Sequence, residues 1–256
     1  MVKLSPFEIV KAARSTEKIT TSDLIRNLVP DFFELHGDRG RLDDAAVIGG
    51  IGTLNGRPIT IVGTQKGEDL AENINRHFGS AEPEGYRKIL RLMKQAEKFH
   101  RPILALINTP GAYPDMNAEY HGQGSAIANC LLEEMQLQVP YLSIVIGEGG
   151  SGGALALACG NQVWMTEQST YSVLSPEGYA SIMWKDSSRV EEAAKALHLT
   201  PTELLNEQII DRVIPEVRNA EDIHDLRKII FAEFQKLEQL SATELVEQRY
   251  RRFRKY

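Results

Sequence analysis

Tyr141-Leu142-Ser143-Ile144-Val145-Ile146-Gly147-Glu148-Gly149-Gly150-Ser151-Gly152-Gly153-Ala154-Leu155-Ala156-Leu157-Ala158-Cys159 decides the fold. Tyr141 to Ile146 is a short apolar run of the kind that makes a buried strand. It enters a glycine run and then an apolar segment, about Gly152 to Cys159, that has no polar face and reads as a buried helix. A helix start leaves N–H groups unpaired and partly positive. Glycines let a ligand or another backbone approach them closely. The run from Gly147 to Ala154 therefore reads as a buried helix start that stabilises an anion, with Ser151 as its cap.

Working outward, the same unit recurs just upstream. Ile103 to Ile107 is a buried strand, and Asn108-Thr109-Pro110-Gly111-Ala112-Tyr113-Pro114 is a second corner stiffened by prolines. A helix follows, roughly Ala118 to Met135. Val163-Trp164-Met165 and Tyr171-Ser172-Val173-Leu174 read as further strands. Short apolar strands alternating with helices indicate an α/β domain with a mainly parallel sheet. Before it, Val47–Leu54 and Pro58–Gly63 flank Asn55-Gly56, a strong hairpin signal. Gln65 to Pro83 is polar and reads as a loop, and Glu84 to His100 as an amphipathic helix.

Both ends read as helical. Ser5-Pro6-Phe7-Glu8 is a capping box, and a second helix starts near Ser22 and stops before Pro30. Downstream, Ser175-Pro176-Glu177 and Thr200-Pro201-Thr202-Glu203 open helices, Ile209 to Ile214 is a late strand, and a long helix covers about Ala220 to Leu240. Ser241-Ala242-Thr243-Glu244 caps the last helix. The expected organisation is an N-terminal helical extension (1–36), a central domain (37–219) and C-terminal helices (220–256) within one structural unit.

The 256 residues are 42% hydrophobic, enough for a sizeable core, and the formal net charge of −6 gives no support for nucleic-acid binding. Cys130 and Cys159 lie in small apolar surroundings and read as core thiols; no metal-ligand spacing appears. The N-terminus lacks a signal-peptide core and no apolar stretch reaches the ~18 residues of a membrane span. The expectation is a cytoplasmic protein with no metal and no membrane contact.

The glycine run is neither a Walker A loop nor a dinucleotide fingerprint, since no Gly-Lys-Ser/Thr follows and the glycine spacing is wrong. It does satisfy Gly149-x-Ser151-x-Gly153, the nucleophile-elbow pattern. A serine hydrolase with Ser151 as nucleophile is the rival reading. Its base would be His198 or His224 and its orienter Asp186 or Asp211, yet both histidines sit among charged residues and read as solvated. His121 and Lys66 are further candidates for substrate contact, Lys66 for a carboxylate or phosphate. The terminal Arg/Lys cluster reads as a solvated or subunit-interface face.

Thr109–Pro114, Ile146–Ala156 and Tyr171–Gly178 closely resemble the α subunits of bacterial acetyl-CoA carboxylase carboxyltransferase. Val47–Ile51, Gly63–Gly67, Pro83–Lys88 and Ile210–Glu216 extend the resemblance along nearly the whole chain. It implies a crotonase, or Clp-protease-like, superhelix of ββα units. It implies transfer of a carboxyl group from carboxybiotin, on a biotin carboxyl carrier protein, to acetyl-CoA, giving malonyl-CoA at the first committed step of fatty acid biosynthesis. The implied partners are a zinc-containing β subunit, in an α2β2 assembly, and biotin carboxylase. Gly149 and Gly150 would be the backbone oxyanion donors, Gly111 and Ala112 would line their pocket, and Tyr113, Ser151 and Gly152 would complete the substrate-binding set. Such chemistry needs fixed N–H donors where charge develops rather than a side-chain nucleophile. The sequence departs from the family at Asn108 (usually Asp), Asp115 (often Gly), Tyr120-His121 (usually Glu-Arg) and Glu68 (usually basic).

Overall fold

The computed structural model describes residues 4–255. Ser5 caps α1 (Pro6–Ala13): its hydroxyl accepts the Glu8 N–H, and the Glu8 carboxylate accepts the Ser5 N–H. After α2 (Thr21–Leu28) and the two-residue β1 (Phe33–Glu34) comes the expected hairpin, β2 (Val47–Leu54) and β3 (Arg57–Thr64). Its turn residues Asn55 and Gly56 both have positive φ, the geometry that matches the twist of paired strands. The stretch from Gln65 to Pro83 is not a plain loop. Asp69 caps α3 (Leu70–Asn75), and a 3₁₀ turn covers His77–Gly79. Six residues are too few to show a helical period in the sequence.

The amphipathic helix α4 (Pro83–Lys98) leads to β4 (Ile103–Thr109). The single helix expected next is two, α5 (Met116–Tyr120) and α6 (Gln123–Glu134), because Gly122 turns left-handed between them. β5 (Tyr141–Gly150) runs four residues further than the apolar pattern suggests, through the glycines, and α7 (Ser151–Leu155) is only five residues long. The strand persists because β7 (Thr170–Ser172) pairs beside Glu148, Gly149 and Gly150. Beyond β6 (Gln162–Thr166) and β7 come α8 (Pro176–Trp184), α9 (Val190–Ala196), α10 (Pro201–Asn206), β8 (Arg212–Ile214), α11 (Ala220–Leu237) and α12 (Ala242–Phe253).

The sheet order is β1-β2-β3-β4-β5-β6-β8, with β7 alongside the end of β5. Pairing is antiparallel as far as β3 and parallel from there on. Every residue of β4 is buried, as expected of a parallel strand covered on both faces. Its side chains alternate between two core layers. Ile103, Ala105 and Ile107 join Tyr86, Ile89 and Met93 of α4 with Cys130 of α6. Leu104 and Leu106 join Leu24, Ile25 and Leu28 of α2 with Leu226, Ile230 and Phe234 of α11. The first and last thirds of the chain thus cover the same sheet face. Cys130 and Cys159 are buried free thiols.

Candidate active site

The two corners meet because β4 and β5 are parallel neighbours. Ile103 pairs Tyr141 and the register continues to Ile107 and Val145; it then shifts, so that Thr109 pairs Gly149. The strands leave the sheet side by side. A Cβ on Gly150 would collide with the Pro110 carbonyl. One on Gly153 would lie 2.7 Å from the Gly111 carbonyl carbon and 2.8 Å from the Tyr86 hydroxyl. Glycine at these positions lets one backbone rest directly on the other.

The Asn108–Pro114 corner is held by its own short-range bonds. Thr109 Oγ1 donates to the Gly111 carbonyl at 2.9 Å and accepts the Gly111 N–H at 3.1 Å. Gly111 has φ +146, and its Cβ position is open, 3.8 Å from the Gly150 oxygen. Tyr113 donates its N–H to Ala81 O at 3.0 Å and stacks on His77 with ring centroids 3.9 Å apart. Behind this corner, buried Asp44 accepts the Ala46 and Glu82 N–H groups, each at 2.8 Å. Burial pushes its carboxyl up to about 6.

The glycine corner is held from outside. Gly149 is buried between Thr109 and Tyr171, with a strand partner on each side, whereas Gly150 pairs with Ser172. Asn108, itself buried, accepts the Glu148 N–H through Oδ1 at 3.1 Å and fills the space beside Gly147. The Glu148 carboxylate lies between Lys66 Nζ, at 2.6 Å, and Arg14 Nε, at 2.8 Å. Arg14 also grips Glu177, at the start of α8, through both terminal nitrogens, at 2.7 and 3.1 Å. Burial opposes ionisation of Glu148, but Lys66 and Arg14 outweigh it and hold the carboxyl below its usual range. A hollow of about 50 Å³ under Gly149 and Gly150 is closed by Arg14, Val10 and Pro176. A larger cavity of about 430 Å³ opens beside Lys66, Asn108 and Pro110.

Ser151 is not a cap. It sits at φ +52, exposed, and its hydroxyl makes no hydrogen bond among the described residues. The extended strand makes Gly150 the residue at the N-cap position, so Ser151 lies one place too late to cap. Ser151 and Gly152 line a cavity of about 320 Å³ with Tyr171, His198 and Glu207. His198 Nδ1 is bound to Glu207 at 2.6 Å, and no hydrogen bond joins it to Ser151. The two expected orienters are engaged elsewhere: Asp186 with Ser188, Asp211 with the Val163 N–H and Arg252. His224 is exposed on α11.

Lys66 is occupied by Glu148. His121 closes α5, with Nδ1 2.7 Å from Asn117 O, while Asp115 caps that helix. The terminal basic cluster borders a polar cleft of about 760 Å³ on α12, lined by none of the corner residues. Arg14 and Glu177 are the neighbours of the glycine corner that the sequence did not reveal. They lie 134 and 163 residues along the chain from their partners, and no local pattern marks them.

Comparison with known proteins agrees with this architecture. The family model described as acetyl co-enzyme A carboxylase carboxyltransferase-like matches residues 1–256. The chain is 56% identical over 250 residues to the acetyl-coenzyme A carboxylase carboxyl transferase subunit alpha of Streptococcus thermophilus LMD-9, covering 97% of this chain and 98% of that one. It is 52% identical over 251 residues to the subunit of the same name from Streptococcus pneumoniae Hungary19A-6, with the same coverage. Among solved structures, transcarboxylase 12S with methylmalonyl-coenzyme A bound superposes with a TM-score of 0.74 at 20% identity, over 88% of this chain and 43% of that one. A Pseudomonas malonate decarboxylase hetero-tetramer in complex with coenzyme A gives 0.72 at 15% identity, over 92% of each chain. These likenesses bear out the expected crotonase-type fold.

Proposed function

The chain belongs to the acetyl-CoA carboxylase carboxyltransferase family, as an α subunit, and on that premise we propose that its two touching corners form the anion-stabilising half of the carboxyl-transfer site. The observation that carries this is the contact between Gly150 and Pro110–Gly111, where no Cβ fits. A backbone edge pinned there cannot reorganise as charge develops, which is what makes a fixed N–H donor effective.

The reaction moves a carboxyl group from carboxybiotin, on a biotin carboxyl carrier protein, to acetyl-CoA, giving malonyl-CoA for fatty acid biosynthesis. Carboxybiotin would supply the carboxyl group by breaking its N–C bond, with negative charge developing on the ureido oxygen and the biotin nitrogen taking the proton that the acetyl-CoA methyl carbon loses as the new C–C bond forms. Gly149 and Gly150 are the proposed backbone donors to that oxygen. Gly150 is the more available, because Gly149 is held between two strands. Gly111 and Ala112 form the facing wall. The single methyl group of Ala112 and the open position beside Gly111 leave a cradle that suits a flat ring. The Gly111 N–H, bonded to Thr109, shapes this wall rather than donating to the substrate. Tyr113, Ser151 and Gly152 complete the proposed substrate contacts. The exposed hydroxyl of Ser151 can bind without acting as a nucleophile.

The other half of the site belongs in this reading to a zinc-containing β subunit that holds acetyl-CoA, in an α2β2 assembly supplied by biotin carboxylase. Exposed apolar side chains beside the corners support a partner there. Ile74 and Phe78 border a hollow with Pro110 and Tyr113, and Val173 is 70% exposed beside β7. Among the described residues, no helix is long and apolar enough to cross a membrane. The proposed location is the cytoplasm.

The test is reconstitution. The chain alone should form no malonyl-CoA from carboxybiotin and acetyl-CoA, and adding the β subunit should restore turnover. Full turnover by the isolated chain, or an inert reconstituted pair, would reject the reading. Running acetyl-CoA against propionyl-CoA in the same assay assigns acyl selectivity.

A further inference from the structure

The glycine corner carries an electrostatic problem. Glu148 stands two residues before Gly150, and alternate residues of a strand face the same way about 7 Å apart. An uncompensated carboxylate at that range, in surroundings of effective dielectric about 20, would slow formation of an anion by roughly 50-fold. The structure surrounds this carboxylate with two cations from distant parts of the chain. Lys66 lies two residues past the end of β3, and Arg14 directly follows the N-terminal helix. Arg14 is shared with Glu177, so the four groups sum to zero charge.

We infer that Arg14, together with Lys66, is a positioning residue of the carboxyl-transfer site: it cancels the charge of Glu148 so that the Gly149–Gly150 edge can hold an anion. Three observations converge on this. Arg14 bonds the Glu148 carboxylate directly, at 2.8 Å. It lines the small hollow under Gly149 and Gly150, as Glu148 itself does. Its fork to Glu177 fixes the start of α8, which follows the strand paired with Gly150. The N-terminal helix is thereby more than a surface extension. It places a charge that the corner's own sequence lacks.

This inference rests on the proposed reading of the corner, and the experiment separates the two. The chain is co-expressed with its β subunit, and carboxyl transfer from carboxybiotin to acetyl-CoA is measured for the wild type, R14Q, R14K and the double variant R14Q/E148Q. Removing Arg14 leaves one excess negative charge. R14Q should lower kcat by about 10- to 50-fold with KM for acetyl-CoA unchanged. R14K keeps the charge and loses only the fork, so it should recover most of that loss. The double variant returns the cluster to zero charge and should recover at least half of the loss on a logarithmic scale.

A role as a mere strut predicts the opposite. The double variant would then be no faster than R14Q, and R14K would be as slow as R14Q. Either result overturns the inference, as does an R14Q assembly with wild-type kcat. Thermal melting of each assembly separates lost structure from lost rate. Should R14Q fail to assemble, K66Q removes the second cation from the same carboxylate and must lower kcat in the same way. An inert wild-type assembly would instead count against the reading of the corner itself.

Discussion

The two corners stand side by side at the ends of neighbouring strands, yet only one of them is also braced from within. The Thr109–Pro114 corner is stiff from within, by two prolines and by the paired bonds between Thr109 and Gly111. The glycine corner has no such internal bracing. Its shape comes from Asn108, Lys66, Arg14 and the added strand β7. The carboxylates behind them differ in the same sense. Asp44, behind the proline corner, is buried against the backbone N–H groups of Ala46 and Glu82, and burial pushes its carboxyl up to about 6. Glu148, beside the glycine corner, is held ionised by two cations. A site that must stay rigid while its charge changes can join one wall fixed by covalent stiffness to another fixed by electrostatics.

The largest break in this comparison should come from the glycines themselves. Gly150→Ala drives a Cβ into the Pro110 carbonyl, where neither backbone can yield without moving the donor edge. Malonyl-CoA formation by the reconstituted assembly should fall at least about 100-fold, the usual loss of one oxyanion donor. Gly111→Ala meets no such wall, since its nearest neighbour would be 3.8 Å away. Its penalties are the φ of +146, a strain of about 1–3 kcal/mol to be seen in thermal melting, and a methyl group at the edge of the proposed cradle, to be seen as a smaller loss of turnover than that of Gly150→Ala. Equal effects of the two substitutions on turnover would dissolve the distinction between the corners.

The next break is in pH dependence. Asp44 has a raised folded-state pKa, so its stabilising contribution is complete below about 4 and is lost as the pH rises through about 6. The shift corresponds to about 3 kcal/mol over that window. Asp44→Asn should abolish this part of the slope in melting curves taken from pH 4 to 7. Glu148 has the opposite sign: its contribution is present above the usual glutamate range and is lost as the pH falls through its lowered folded value. Acid should therefore loosen the glycine corner while leaving the proline corner firm. Hydrogen exchange at the Glu148 and Tyr113 amides, followed downward from pH 6, reads the two separately.

A smaller effect is expected at the contact between the corners. Asn108→Ala removes the acceptor of the Glu148 N–H, leaving a half-buried donor unsatisfied at a cost of about 1–3 kcal/mol. Asn108→Asp keeps an acceptor there and should be milder, although it places another negative charge beside Glu148. A melting temperature unchanged in the alanine variant would show that Asn108 is not what joins the corners.

What the sequence disclosed follows the same division. Features made by neighbouring residues were legible: the apolar strands at Ile103 and Tyr141, the Asn55-Gly56 turn, the capping boxes at Ser5 and Ser241, and the proline corner. Features made by tertiary pairing were not. The glycine run looked like a helix start because nothing in it announces β7, whose pairing keeps Glu148 to Gly150 in the sheet. The Gly122 break was hidden inside an otherwise helical pattern, and α3 is too short to leave a period. Arg14 could not be linked to Glu148 across 134 residues. The family resemblance implies that the corners share a pocket, and the parallel pairing of β4 with β5 is what brings them into contact.

The smallest effect is expected at Ser151, and it tests the point at which the sequence was most ambiguous. The residue has the spacing of a nucleophile elbow and shares a cavity with the His198–Glu207 pair. Yet its hydroxyl has no hydrogen-bond partner among the described residues, and the α-subunit chemistry asks nothing of it beyond contact. Ser151→Ala should change turnover by less than about 5-fold, an ordinary lost hydrogen bond to substrate. It should also leave stability within about 0.5 kcal/mol, because an exposed hydroxyl without a bond is removed. A fluorophosphonate probe should leave Ser151 unlabelled in the folded assembly. Stoichiometric labelling, with loss of turnover in the alanine variant, would mean that the glycine corner activates a side chain as well as presenting a backbone. The contrast with the proline corner would then have to be redrawn around a nucleophile.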